Sequence, residues 1–260
     1  MLPLRIYSDI HQELREDKEL FNIEKLDNEK EQILILAGDI DQIKNFKNNE
    51  ARKLWLKNLS KRFYAVLYVF GNHEYYRGKI GNSYEEKNRE IFKDIENLHV
   101  LSRSTPTVII DNVKFIGASL WTPLKDAGFL DHNVINDVKS IKSVNKGGYR
   151  KFGKESWREE HNLDLEWITK ELNDMKTVII SHHAPILTND PRDKEGKYLH
   201  HNCCELEDLI KSNNQIKLWI HGHVHQKDVL KREVGETIVF SNTIGTKMVK
   251  DEPNRSLFYI

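Results

Sequence analysis

The stretch Ile33-Leu34-Ile35-Leu36-Ala37-Gly38-Asp39 decides the architecture. Five apolar residues in unbroken succession, stopped by a glycine and an acid, read as a strand buried on both faces. Such a strand needs cover on two sides, which places it inside a sheet layered with other elements. The same grammar recurs along the chain. Leu4 to Tyr7 runs into Ser8-Asp9, and Ala65 to Phe70 runs into Gly71-Asn72-His73-Glu74. Val178 to Ile180 runs into Ser181-His182-His183-Ala184-Pro185, and Lys217 to Ile220 into His221-Gly222-His223-Val224-His225. A charged stretch from Gln12 to Gln32 follows the first strand. Phe46 to Phe63, with Phe46, Ala51, Leu54, Trp55 and Leu59 at helical spacing, precedes the third. Strands alternating with helical segments predict an α/β fold.

The remaining segments complete this reading. Thr107 to Ile110 and Val113 to Ala118, separated by Asp111-Asn112, predict a hairpin. Residues 124–150 lack a clear period and include Lys146-Gly147-Gly148, so they are expected to form an irregular insertion. Glu155 to Leu172 carries Trp157, His161, Leu165, Ile168 and Leu172 at three- and four-residue steps, a helix. Residues 186–202 are polar, with Pro191 and Gly196, and are expected to loop over whatever the preceding histidines serve. Leu206 to Lys211 predicts a short helix and the segment 228–260 a hairpin-like tail. With no internal repeat, low-complexity tract or linker, one domain over residues 1–260 is expected.

Composition narrows the function. The 260 residues are 38% hydrophobic and 31% charged, which excludes disordered, collagenous and disulfide-scaffold classes. Forty basic residues balance forty acidic ones, so a protein that grips nucleic acid mainly by counterion release is not indicated, although local basic patches remain open. Cys203 and Cys204 are adjacent, a spacing that strains a bridge. They are expected as small half-buried thiols in a reducing, cytoplasmic setting. His200 and Asn202 beside them suggest zinc, but adjacent ligands chelate one tetrahedral ion poorly. The apolar run Phe63 to Phe70 is too short for a bilayer. Arg5 and Asp9 interrupt the apolar stretch that a signal peptide needs.

The chemistry lies at the strand ends. Five buried strands each stop at metal-capable side chains: Asp9 and His11; Asp39; Asn72 and His73; His182 and His183; His221, His223 and His225. In open α/β sheets the loops at the carboxyl ends of strands converge on the ligand site. A single histidine or aspartate after a strand is usually a turn residue, but five clusters holding seven of the twelve histidines are not five independent turns. Isolated His99, His132 and His161 are assigned to packing or surface.

Asp9-Ile10-His11, Gly38-Asp39, Gly71-Asn72-His73-Glu74, His182-His183-Ala184-Pro185 and Gly222-His223-Val224-His225 resemble, in order, the five motifs of the calcineurin-like metallophosphoesterase superfamily. The resemblance implies a four-layer α/β/β/α sandwich with a dinuclear metal centre at the carboxyl ends of the strands. It assigns Asp9, His11 and His225 to one ion, Asn72, His182 and His223 to the other, and Asp39 as the bridge. His73 matches the catalytic histidine beside the scissile phosphate. His183 and His221 match no ligand position and become supporting or substrate-side candidates, as does Arg77. Imidazole, carboxylate and amide donors without thiolate suit manganese, iron or zinc, with manganese favoured. Two divalent ions with two aspartates and a hydroxide leave a centre near about +1, which attracts an anion and supplies hydroxide near neutral pH. Metal-bound hydroxide would then attack phosphorus while His73 protonates the leaving oxygen.

The pattern departs from the protein phosphatase and diadenosine-tetraphosphate hydrolase branches. Phe70 stands where they carry arginine, and Asp41-Gln42-Ile43 replaces Asp-Arg-Gly. The lipid A pathway pyrophosphatases carry arginine at the position of His73. The reading is therefore a small phosphodiesterase-type member acting on a nucleotide-type phosphodiester. A phosphomonoesterase or nuclease is the alternative. A non-catalytic scaffold of the same fold is remote, because scaffolds lose ligands and all seven ligand positions are filled here.

Overall fold

A computed structural model describes residues 1–16, 19–105, 107–124, 135–145, 148–245 and 257–260. In chain order the strands are β1 (Pro3–Tyr7), β2 (Ile33–Ala37), β3 (Ala65–Val69), β4 (Lys79–Ile80), β5 (Leu98–Leu101), β6 (Val108–Ile110) and β7 (Val113–Ala118). They continue as β8 (Lys142–Asn145), β9 (Gly148–Lys151), β10 (Thr177–Ser181), β11 (Ile216–His221), β12 (Leu230–Val234), β13 (Thr237–Ser241) and β14 (Phe258–Tyr259). One sheet has the order β14-β1-β2-β3-β5, a second β12-β13-β11-β10-β7-β6, and a small third β4-β8-β9. Strands β1, β2, β3 and β5 are mutually parallel, as are β7, β10, β11 and β13.

Alternation along each strand sorts its side chains into layers. In β2, Ile33, Ile35 and Ala37 meet Val178, Ile180, Leu218 and Ile220 of the second sheet in a shared core. Leu34 and Leu36 point the other way, onto Phe46, Leu56 and Leu59. On the second sheet Ile179 and Trp219 point outward with Ile168 of the helix Lys154–Glu171. Helix, sheet, sheet, helix is the four-layer α/β/β/α sandwich expected. Because all the central strands run parallel, their carboxyl ends meet along one edge.

Several local expectations need correction. The segment from Phe46 to Phe63 is two helices, Ile43–Asn48 and Glu50–Ser60. Asn49 breaks the first and caps the second, its side chain accepting from the amides of Ala51 and Arg52. The insertion at 124–150 is ordered where described. A short helix, Asn136–Ser140, is followed by β8 and β9, which pair antiparallel and join β4. The tail is only partly a hairpin: β12 and β13 pair on the second sheet, whereas β14 crosses to pair antiparallel with β1. Residues Leu199–Asn202 form a helical turn within the expected loop. His132 lies outside the described residues.

A buried ion cluster ties the layers together. Arg103 donates to Asp164 at 2.6 Å and to Glu160, with Glu85 at 3.7 Å. One cation thus faces three buried carboxyls.

Candidate metal centre

Each chemical side chain sits in the first turn beyond a parallel strand, where the backbone bends sharply. Asp9, His11, Asp39 and His223 all adopt positive φ, between 50° and 65°. Non-glycine residues rarely take this conformation, and it concentrates at functional sites. Gly38 and Gly71 make the approach possible, because a β-carbon at Gly38 would overlap the His182 ring and one at Gly71 would overlap the Asp39 carboxylate. Glu74 stitches the turns together. Its carboxylate accepts from the amides of Asp39 (2.9 Å), Ile40 (2.7 Å) and Gly71 (2.6 Å) and from the Tyr68 hydroxyl (2.6 Å).

The donors converge as two triads that flank Asp39. Ligand atoms of Asp9, His11 and His225 lie within 4.8 Å of one another, as do those of Asp39, His182 and His223. His11 Nε2 stands 3.8 Å from Asp39 Oδ2, and His182 Nε2 stands 3.4 Å from Asp39 Oδ1, so each carboxylate oxygen faces one triad. Asn72 Oδ1 reaches His182 Nε2 at 3.0 Å. The imidazole pairs His11–His225 and His182–His223 bring ring nitrogens to 3.3 and 3.2 Å. Two lone pairs at that distance repel unless a proton or a cation lies between them. Buried carboxylates and converging imidazoles are thus a donor set that fits two divalent ions of the manganese, iron or zinc type. His11, Asp39 and His73 make a third close triad.

Outer contacts aim these donors. His182 Nδ1 donates to the Ala37 carbonyl at 2.9 Å, and His223 Nε2 to Asn202 Oδ1 at 3.0 Å. Asn72 donates to Asp137 at 2.7 Å, turning its oxygen inward, and Tyr76 donates to the same Asp137 oxygen at 2.8 Å. The Tyr76 ring stacks on His73 with centroids 4.2 Å apart. Both amides of the first turn are tied to its neighbours, Asp9 to Gly38 and His11 to Asp39, each at 2.9 Å.

Charge follows burial. Burial is the largest influence on His73 and His182 and lowers their proton affinity, but Asp39 and Glu13 together outweigh it at His73, and Asp39 with Asp9 and the Ala37 carbonyl at His182, holding them up at about 9 and about 10. Burial raises Asp9, yet His225 and its hydrogen bond bring it down to about 2. The metal-free centre therefore keeps protons on imidazole that cation binding must release.

All seven candidate ligands and His73 are brought together. His183 and His221 lie fully buried beside them. Each donates Nδ1 to a carbonyl, of Ser119 at 3.2 Å and of Gly222 at 2.9 Å. Burial pushes them down to about 3 and about 4, so they are neutral packing partners. Arg77 is not at the centre: it is exposed on a positive-φ turn whose amide binds the Ser140 carbonyl. Arg192 is there instead, donating to His225 Nδ1 at 2.9 Å and to the His223 carbonyl at 3.2 Å. Cys203 and Cys204 are fully buried, not half-buried, and burial raises both thiols. His161 is a packing residue bonded to the Trp121 carbonyl.

Sequence reasoning passed over Glu13, Asp137 and Arg192, and considered Asn202 only beside the cysteines, not as the partner of His223. Glu13 had a signal, since Asp9, His11 and Glu13 alternate. The other three lie in segments without a period.

A family profile described as calcineurin-like phosphoesterase matches residues 2–227. An uncharacterized protein of Acanthamoeba polyphaga mimivirus is 26% identical over a 207-residue alignment that covers 74% of this chain and 71% of that one. The crystal structure of phosphopantetheinyl hydrolase from Mycobacterium tuberculosis superposes with a TM-score of 0.69 at 16% identity, covering 94% of this chain and 89% of that one. At that identity the likeness is one of fold.

Proposed function

Because the chain belongs to the calcineurin-like phosphoesterase family, a metal-dependent phosphoester hydrolase family, we propose that it cleaves phosphodiesters of the nucleotide type. In this reading Asp9, His11 and His225 hold one divalent ion, and Asn72, His182 and His223 the other, with Asp39 between them. When bound, such ions neutralise phosphate oxygens and acidify water. The protein's own part is to position and to move a proton. His73 Nε2, 3.8 Å from Asp39 Oδ2, faces the space between the triads and donates its proton to the departing oxygen. Tyr76 keeps the ring from turning away.

The diester preference rests on one observation, the state of Arg192. A monoester dianion needs more positive charge than a diester monoanion. Arg192 is the arginine at the centre among the described residues, and Asp190 already neutralises it through contacts of 2.9, 3.1 and 2.5 Å. It therefore brings shape and hydrogen bonds to the rim with little net charge. The test compares kcat/KM for bis-p-nitrophenyl phosphate and p-nitrophenyl phosphate under one saturating concentration of Mn²⁺. A higher value for the diester is expected, and a clear monoester preference overturns the reading.

A further inference from the structure

Glu13 belongs to none of the five motifs, yet it is the side chain that joins a candidate ligand to the candidate acid. It lies in the turn Gln12–Leu14, which starts from the left-handed backbone of His11. That turn folds the Glu13 side chain back beneath its own neighbour. His11 Nδ1 stands 2.9 Å from Glu13 Oε1, and His73 Nδ1 stands 2.7 Å from the same oxygen. The two rings cross edge to face with centroids 4.5 Å apart. On their far sides, both Nε2 atoms lie 3.8 Å from one oxygen of Asp39. Each imidazole is therefore clamped between the same two carboxylates, Glu13 behind and Asp39 in front. The Glu13 side chain is only 5% exposed, and its second oxygen has no hydrogen-bond partner among the described residues.

We infer that Glu13 is a positioning residue that sets the tautomer and aim of both His11 and His73, so that one carboxylate serves metal binding and leaving-group protonation together. The inference rests on the phosphodiesterase reading above for the role of His73. An ionised carboxylate has no proton to give, so both Nδ1 atoms must be the donors. With Nδ1 protonated, His11 is left with a lone pair on Nε2, the form in which imidazole binds a cation. The same bond fixes the His73 ring so that the proton it carries on Nε2 points between the triads. Without Glu13 each ring could flip or adopt the other tautomer, and neither Nε2 would be held ready. Sharing one oxygen also makes the two rings move as a unit.

The experiment uses the full chain with Glu13→Gln, which preserves shape, Glu13→Ala, and His73→Ala as reference. Mn²⁺ affinity and stoichiometry are measured on the metal-free proteins by calorimetry. Then kcat is measured on aryl phosphodiesters whose leaving groups run from p-nitrophenol to phenol, because a good leaving group needs no proton and a poor one does. Glu13→Ala should weaken Mn²⁺ binding about 10-fold or more, as expected when the partner of a ligating histidine is lost. Both Glu13 variants should also lose about 10-fold or more with phenol and far less with p-nitrophenol, the pattern of an impaired general acid. His73→Ala should show that leaving-group pattern with two equivalents of Mn²⁺ retained. A Glu13 loss equal across all leaving groups, or Mn²⁺ affinity unchanged in Glu13→Ala, overturns the inference. If His73→Ala itself shows no leaving-group dependence, or loses an equivalent of Mn²⁺, the reading of His73 fails and the inference falls with it.

Discussion

Asp39 faces His11 and His73 through one oxygen and His182 through the other, so its substitution reaches further than that of any other donor. Asp39→Asn keeps the volume but offers a single acceptor and no charge. Metal analysis of the purified variant should find fewer than two equivalents of Mn²⁺. Two equivalents together with full activity would remove Asp39 from the bridging position. Asp190 gives a second handle. Asp190→Asn leaves Arg192 in place with its charge unpaired, which should shift the monoester-to-diester ratio of kcat/KM upward by about 10-fold, equivalent to about 1.4 kcal/mol. An unchanged ratio would show that Asp190 does not set the charge that substrate meets. The candidate ligands were legible because a buried strand that ends on imidazole or carboxylate is expensive without a partner. Asp137 and Arg192 were not, because their roles depend on where loops land after folding, and no local period encodes that. Arg77, although near a motif, sits on a turn that faces solvent.

The break at Asn49 and the cluster around Arg103 show how polar residues override apolar spacing. Of the residues expected at helical spacing, Phe46 and Leu59 are buried and Trp55 packs against them, whereas Ala51 and Leu54 are exposed and Leu56 takes the buried place. Helix was legible in that segment, but the break that Asn49 imposes by capping, which turns the second helix onto a different face, was not. Asn49→Ala should lower stability by about 1 kcal/mol, read from urea denaturation. Around Arg103 the deciding factor is charge count. Burial and the neighbouring Asp164 raise Glu160 from 4.5 to about 7, even though Arg103 opposes this. A carboxyl whose folded value is raised favours the fold while protonated. That stability is present below about pH 4.5 and is lost as pH rises toward about 7. Glu160→Gln keeps a neutral group at every pH. Its melting temperature relative to wild type should therefore climb between pH 5 and pH 8, and a difference that stays flat would place the proton elsewhere.

Two sheets with one shared core bring five strand ends to a single edge, and this much followed from unbroken apolar runs such as Ile33 to Ala37. The crossing of the tail to β1 did not, since Phe258-Tyr259 is too short to announce its partner. Yet that crossing supports the site. Ser8 and Thr243 form a bridge, Ile244 donates to the Ser8 carbonyl at 3.0 Å, and Gly245 donates to the Asp9 carbonyl at 2.9 Å. Saturating each cation site at about 100 times Kd should add about 2.7 kcal/mol to stability. Chelation by EDTA should therefore lower the melting temperature, and no change would mean that cations are not bound by the native fold.

The bracing of Asp9 by Thr243 to Gly245 also sets an order in time. Asp9 precedes every other candidate ligand in the chain, but the backbone that locks its turn is translated after His225, the last of them. A nascent chain thus carries a full complement of donors before it has a finished site. The turn that carries Asp9 is therefore locked only by chain made after every candidate ligand, so removing residues 243–245 would loosen the first donor while leaving the full set of donors in the sequence.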